Sequence, residues 1–146
     1  MEKIPGRYPG LAAEYNQNLR EGNLGRCGKD LFIMAAHLRK EGRRVDELKA
    51  LMLSFFFDLS GVDSGPAINR STSKRAADAF SASGIGRHEM EELYTDTIRA
   101  DTVPRPIMTA KDSLYVFEVC LDGRFEEADE ILARFMKHHT ENRTGS

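Results

Sequence analysis

Histidine and cysteine are side chains that commonly bind metal ions, but their spacing in this sequence does not match a metal-binding motif. The four histidines are His37, His88, His138 and His139. A local metal motif needs His-x3-His or Cys-x2-Cys spacing, and neither occurs in the sequence. Adjacent residues of a helix point about 100° apart, so His138 and His139 do not chelate as a pair. The sequence therefore predicts no metal and no cofactor.

Motifs for covalent catalysis and phosphate binding are missing as well. The chain contains no GxSxG nucleophile turn, no GxxxxGK[ST] loop and no GxGxxG after a strand. Cys27 lies near the cations Arg26 and Lys29, which favour a reactive thiolate, but no base adjoins it in sequence. We therefore expect no catalytic residues. The alternative is an enzyme whose site is assembled from distant residues, and a deep pocket with convergent polar groups would favour it.

Basic residues cluster around Gly42, at the junction of two predicted helices. This basic corner consists of Arg39, Lys40, Arg43, Arg44 and Lys49. Such a cluster can receive phosphate, nucleic acid or an acidic partner. A solvated helix end gives the same pattern, because cations stabilise helix C-termini. These five residues are the candidate interaction surface of the sequence.

Residues 74–99 can be interpreted as a helix-turn-helix-like pair, with SASGIG as the turn. Together with the basic corner at 39–49, this pair would make the protein a nucleic-acid-binding regulator. The second helix, however, begins with Glu89, Glu91 and Glu92, which would face the phosphate backbone with the wrong sign of charge. We therefore keep nucleic acid as the weaker alternative.

Composition bounds the class of protein. The chain has 146 residues and a net charge of −2, so one domain over 1–146 is expected, without a global affinity for anionic polymers. Only two cysteines, Cys27 and Cys120, are present, and we expect both to be reduced. No signal-peptide core and no apolar run of about 18 residues is found. The sequence thus predicts a cytoplasmic protein with no membrane segment.

The predicted helices are organised around one apolar stretch of the sequence, residues 44–59. Val45, Leu48, Met52, Phe55 and Leu59 recur at spacings of three and four, which places them on one helical face. Further leucines and phenylalanines extend the apolar surface around most of the second half. Because a helix that is apolar nearly all round is normally buried, we predict that 44–59 is the central helix of the domain.

The fold class predicted is all-α, a single-domain bundle of about six helices around this central helix. A helix over 29–41 is predicted before the central helix, and Phe32 and Ile33 widen the apolar stripe that faces the core. Gly25 and Gly28 are predicted to lie in a flexible link before this helix. A short helix over 74–82 follows, capped by Ser71 or Ser73. The remaining divisions are an irregular arm (1–10), a main helical part (11–99), a proline-containing link (100–108), an antiparallel helical hairpin (109–139) and a frayed tail (140–146).

The function expected from these observations is protein–protein interaction. Eight phenylalanines and six methionines are more than one small core obviously needs. Any that stay at the surface would form a patch of the kind that marks an interface. We expect a non-enzymatic adaptor, regulator or inhibitor that binds another protein, and a homodimer is a specific version of this hypothesis.

Overall fold

The structure is a computed structural model that describes residues 9–60, 67–100 and 108–144. The predicted all-α, single-domain class is confirmed, and the described ranges contain no strand. Parts of the predicted arm (1–10) and link (100–108) lie outside these ranges. The helices are α1 (Pro9–Arg20), α2 (Leu24–Lys40), α3 (Arg44–Leu59), α4 (Arg70–Ser83), α5 (Arg87–Ala100), α6 (Ala110–Leu121) and α7 (Phe125–Thr144).

Helix α3 has the predicted bounds, and nearly every side chain from Glu47 to Leu59 is buried. Helices α2 and α4 make the most extensive contacts with it, and α5 and α6 complete the cover. Burying one leucine, methionine or phenylalanine is worth roughly 1.5–3 kcal/mol. The apolar surface of α3 therefore dictates where its neighbours lie. Val45 departs from the prediction, since it is 37% exposed.

Aromatic contacts join α3 to α5 and α6. The ring centroids of Phe55 and Phe117 are 5.1 Å apart in an edge-to-face arrangement, and those of Tyr94 and Phe117 are 4.9 Å apart. The Tyr94 hydroxyl, fully buried, donates to the Ser113 Oγ at 2.9 Å. Edge-to-face pairs add stability beyond their buried area, so these rings fix how α5 and α6 sit on α3.

Helices α2 and α3 approach closely at Gly28. A Cβ atom at this position would lie 3.1 Å from the Asp58 Oδ1 and 3.7 Å from the Phe57 Cβ. The Gly28 carbonyl also accepts a 2.8 Å hydrogen bond from the buried Ser54 hydroxyl. The prediction that Gly25 and Gly28 belong to a flexible link is wrong, because both lie inside α2. Gly28 is close enough to α3 that a methyl group there would press against the Asp58 carboxylate.

The ends of the other helices follow local capping chemistry. Neither Ser71 nor Ser73 caps α4; the Asn69 side chain does, by accepting a hydrogen bond from the Thr72 N–H at 3.1 Å. Helices α6 and α7 pack together as the predicted hairpin, joined by a turn in which Gly123 has a φ of +79°. Helix α7 continues to Thr144, so most of the predicted frayed tail (140–146) is helical.

Two alanine substitutions in α2 test the close approach. Gly25→Ala should raise the free energy of unfolding by up to about 1 kcal/mol, because its Cβ meets nothing within 4 Å and alanine favours helix. Gly28→Ala should lower it, because the new methyl group displaces the Asp58 carboxylate. Urea unfolding monitored by circular dichroism compares them. Equal stabilisation by both substitutions would show that α2 and α3 are not in close contact at Gly28.

Candidate functional site: a groove between helices α2 and α4

The predicted basic corner lies where α2 ends and α3 begins, but most of its charges are used within the protein. Arg44 Nη2 lies 2.5 Å from the Asp78 Oδ2 of α4, and Arg39 Nη2 lies 3.5 Å from the same oxygen. Arg43 forms an ion pair with Asp46. Lys49 also has an interaction partner, whereas Lys40 is exposed at the end of α2. These five residues are therefore adjacent in space, but three of the cations already have carboxylate partners.

Arg44 has a structural role at this corner. Its Nε donates to the Glu47 Oε1 at 2.7 Å, and the Glu47 side chain is fully buried. A buried carboxylate without a cation is strongly unfavourable. Arg44 thus neutralises Glu47 while joining α3 to α4 through Asp78. The sequence could not reveal this role, because Asp78 lies 34 residues further along the chain.

A groove of about 740 Å³ opens elsewhere on α2, between its first half and the start of α4. The α2 wall consists of Gly25, Arg26, Gly28, Lys29, Phe32 and Ile33. The floor is formed by Ser54 and Asp58 of α3, and the opposite wall by Asn69 and Ser71. The groove therefore combines an apolar part, two cations and a polar floor in one concave surface, as binding sites commonly do.

The apolar part of the groove consists of Phe32 and Ile33. Ile33, predicted to widen the inner stripe, is instead 46% exposed. The Arg75 guanidinium of α4 lies over the Phe32 ring, with its Cζ 4.7 Å from the ring centroid. This cation–π contact covers one face of Phe32 and joins α4 to α2. Ile33 and the rest of the Phe32 side chain make up the apolar surface of the groove.

The polar floor is centred on Asp58. Burial raises the pKa of its carboxyl from 3.8 to about 6, while a hydrogen bond from the Asn69 side chain and the charge of Lys29 act in the opposite direction. Asn69 thus caps α4 and binds Asp58, and the Ala67 N–H donates to the Asp58 carbonyl at 3.0 Å. These contacts attach the start of α4 to the end of α3 and fix the width of the groove.

Arg26 and Lys29 carry the charge of the α2 wall. Together with Ile33 they occupy positions i, i+3 and i+7, so they lie on one face of the helix. Both cations are exposed, and within the described ranges no carboxylate lies within ion-pair distance of either. The sequence analysis named Arg26 and Lys29 only as neighbours of Cys27 and did not identify them as part of a binding surface.

Charge is segregated across the whole molecule. Helices α2 and α4, the walls of the groove, contain seven basic and two acidic residues. Helices α5, α6 and α7 contain six basic and eleven acidic residues. The walls of the groove are therefore more basic than the three C-terminal helices.

Other candidate features of the sequence are less well supported by the geometry. Helices α4 and α5, the helix-turn-helix-like pair, pack mainly on α3 and α6 and only weakly on each other. Among the described residues, no group of three or more histidine, cysteine, aspartate or glutamate residues could hold a metal ion. Cys27 and Cys120 are both buried, and neither forms a disulfide bond. No described helix has the length and apolar character needed to cross a bilayer.

Comparisons with known proteins return no relative. No protein-family model matches the chain, no curated protein matches its sequence, and no solved structure matches its fold.

The structural role of Arg44 can be tested by substitution. Arg44→Leu should lower the urea midpoint of unfolding clearly, because the buried Glu47 carboxylate loses its cation. Arg39→Leu is the matched control, since its contact with Asp78 is exposed and should matter little. The double variant Arg44→Leu/Glu47→Leu should recover part of the loss. Equal effects of Arg39→Leu and Arg44→Leu would contradict this assignment.

The pKa of Asp58 predicts a pH dependence of stability. Because the pKa is about 6 in the folded protein and 3.8 for an aspartate in water, folding favours the protonated carboxyl. The protonated Asp58 carboxyl therefore stabilises the folded protein below pH 4, and this stabilisation is lost as the pH rises through 6. Asp58→Asn should therefore be more stable than the parent protein at pH 7.5, by on the order of 1–3 kcal/mol, and equally stable at pH 4. A difference that does not change between these pH values would refute the shift.

Proposed function

We propose that the protein acts without catalysis, by binding another protein through the groove between α2 and α4. The observation that carries this proposal is an exposed apolar surface, Ile33 and part of Phe32, next to the exposed cations Arg26 and Lys29 in a groove of about 740 Å³. Anchoring an apolar side chain of the partner in such a groove is a common mode of protein recognition.

The groove also contains several polar groups, as an active site would. Ser54 is buried, and its hydroxyl is engaged by the Gly28 carbonyl. Asp58 is engaged by Asn69. The described lining residues include no histidine or cysteine that could form a nucleophile–base pair. The polar groups thus have evident roles in holding three helices together, and this supports binding over catalysis.

Location and assembly are parts of the same proposal. Both cysteines are buried and neither forms a disulfide bond, which suits a reducing compartment, and we propose that the protein is cytoplasmic. The partner is a protein, and a second copy of the chain is one form that it can take. Nucleic acid is less well supported, because three cations of the basic corner are paired with carboxylates.

Photocrosslinking in the native cell tests this function. A benzophenone amino acid replaces Ile33 in the groove or Tyr115 on α6, which is 57% exposed and lies outside the groove. We expect a discrete protein adduct from position 33 and not from position 115. Adding Gly25→Trp, which fills the groove, should abolish the adduct, whereas Gly25→Ala should preserve it.

The same experiment identifies self-association, because an adduct of twice the mass of the chain would show that the partner is a second copy. The proposal is wrong if position 33 yields no protein adduct, or if the adduct persists unchanged in the Gly25→Trp background.

A further inference from the structure

We infer that the segment recognised by this groove is an acidic peptide with one large apolar side chain, which lies on Ile33 and Phe32 while its carboxylates contact Arg26 and Lys29. This inference rests on the proposed function and specifies the chemistry of the partner. This placement of the peptide follows from one face of α2, on which Arg26 and Lys29 precede Ile33 by seven and four residues.

The apolar anchor is determined by the wall of the groove. Ile33 is 46% exposed, whereas Leu31, Met34 and Leu38 of the same helix are fully buried. Phe32 offers one face only, because Arg75 covers the other. A single large apolar side chain can cover both residues, and removing this surface from water supplies affinity.

The acidic character follows from charge complementarity at two scales. Locally, Arg26 and Lys29 are exposed and lack a carboxylate within ion-pair distance among the described residues, in contrast to Arg39, Arg43 and Arg44 of the basic corner. At longer range, both walls of the groove are helices with an excess of basic residues. Carboxylates of a peptide therefore gain both direct contacts and faster association.

The floor limits where those carboxylates can lie. Asp58 faces the groove beneath Lys29 and Asn69, and an acidic group close to it would be repelled. The acidic residues of the peptide must therefore contact the outer rim formed by Arg26 and Lys29. A symmetric contact between two copies of the groove would place like charges against each other, which disfavours the second copy in that arrangement.

Gly25 provides a way to close the groove without disturbing the core. A Cβ atom there meets nothing within 4 Å, and its backbone does not need a positive φ. Gly25→Trp should fill the space beside Phe32, and Gly25→Ala is the matched control that leaves it open. Circular dichroism and urea unfolding establish that both variants keep the fold. Arg26→Glu/Lys29→Glu is a second and independent variant, confined to exposed side chains.

The test is a selection from a displayed library of random 16-residue peptides against the intact protein, followed by fluorescence anisotropy with synthetic copies of the selected peptides. We expect peptides with several Asp or Glu residues around one Phe, Leu, Ile or Met. Gly25→Trp and Arg26→Glu/Lys29→Glu should each weaken binding at least tenfold, and Gly25→Ala should not. Raising NaCl from 50 to 500 mM should weaken binding similarly, as for other charge-dependent complexes.

Two sets of results would overturn the inference in distinguishable ways. If the selected peptides are blocked by Gly25→Trp but are neutral or basic, or ignore Arg26→Glu/Lys29→Glu, the acidic chemistry is wrong and the protein-binding groove stands. If no selected peptide is sensitive to Gly25→Trp, the groove itself fails. Binding of random 30-nucleotide DNA that is abolished by these same variants would assign the groove to nucleic acid. An oligomer detected by sedimentation that dissociates on Gly25→Trp substitution would assign the groove to a second copy of the chain. Either result would also overturn the inference.

Discussion

Burial of the apolar surface of α3 is the constraint on which the rest of the structure depends. Helices α2, α4, α5 and α6 all pack against this one helix, and each supplies apolar side chains to the same core. Since each large side chain buried on α3 contributes roughly 1.5–3 kcal/mol, no neighbour can move away without a large loss of stability. The positions of α2 and α4 are therefore fixed by α3, and the groove between them has fixed walls.

The groove lies over two polar positions that interrupt the apolar surface of α3. Ser54 and Asp58 are one helical turn apart, and both face the space between α2 and α4. Each has a structural partner, since Ser54 binds the Gly28 carbonyl and Asp58 binds the Asn69 side chain. The polar positions that interrupt the apolar surface of α3 thus hold the two walls in place, and binding residues such as Ile33 are presented on a rigid support.

How much could be predicted from the sequence depends on the range of the interactions. Periodicity alone located α3 with its correct bounds, because burial repeats every three or four residues. The start of α2 was predicted too late, because Gly25 and Gly28 were interpreted as marks of a flexible link. In the fold, Gly28 lies inside α2 and is close to Asp58 of α3. The groove was missed altogether, because it combines residues from α2, α3 and α4. The basic corner lies where α2 meets α3, but the contacts of Arg39 and Arg44 with Asp78 could not be inferred without the fold.

Native-state hydrogen exchange tests most directly whether α3 anchors the molecule. The amides of residues 48–57 should exchange only through global unfolding, and those of the adjacent part of α2 should be nearly as well protected. Amides of α7, which packs chiefly on α6, should exchange faster through local opening. This order of exchange is expected if α3 is the most stable part of the fold. Protection in α3 no greater than that in α7 would contradict it, because the walls of the groove would then lack a rigid support.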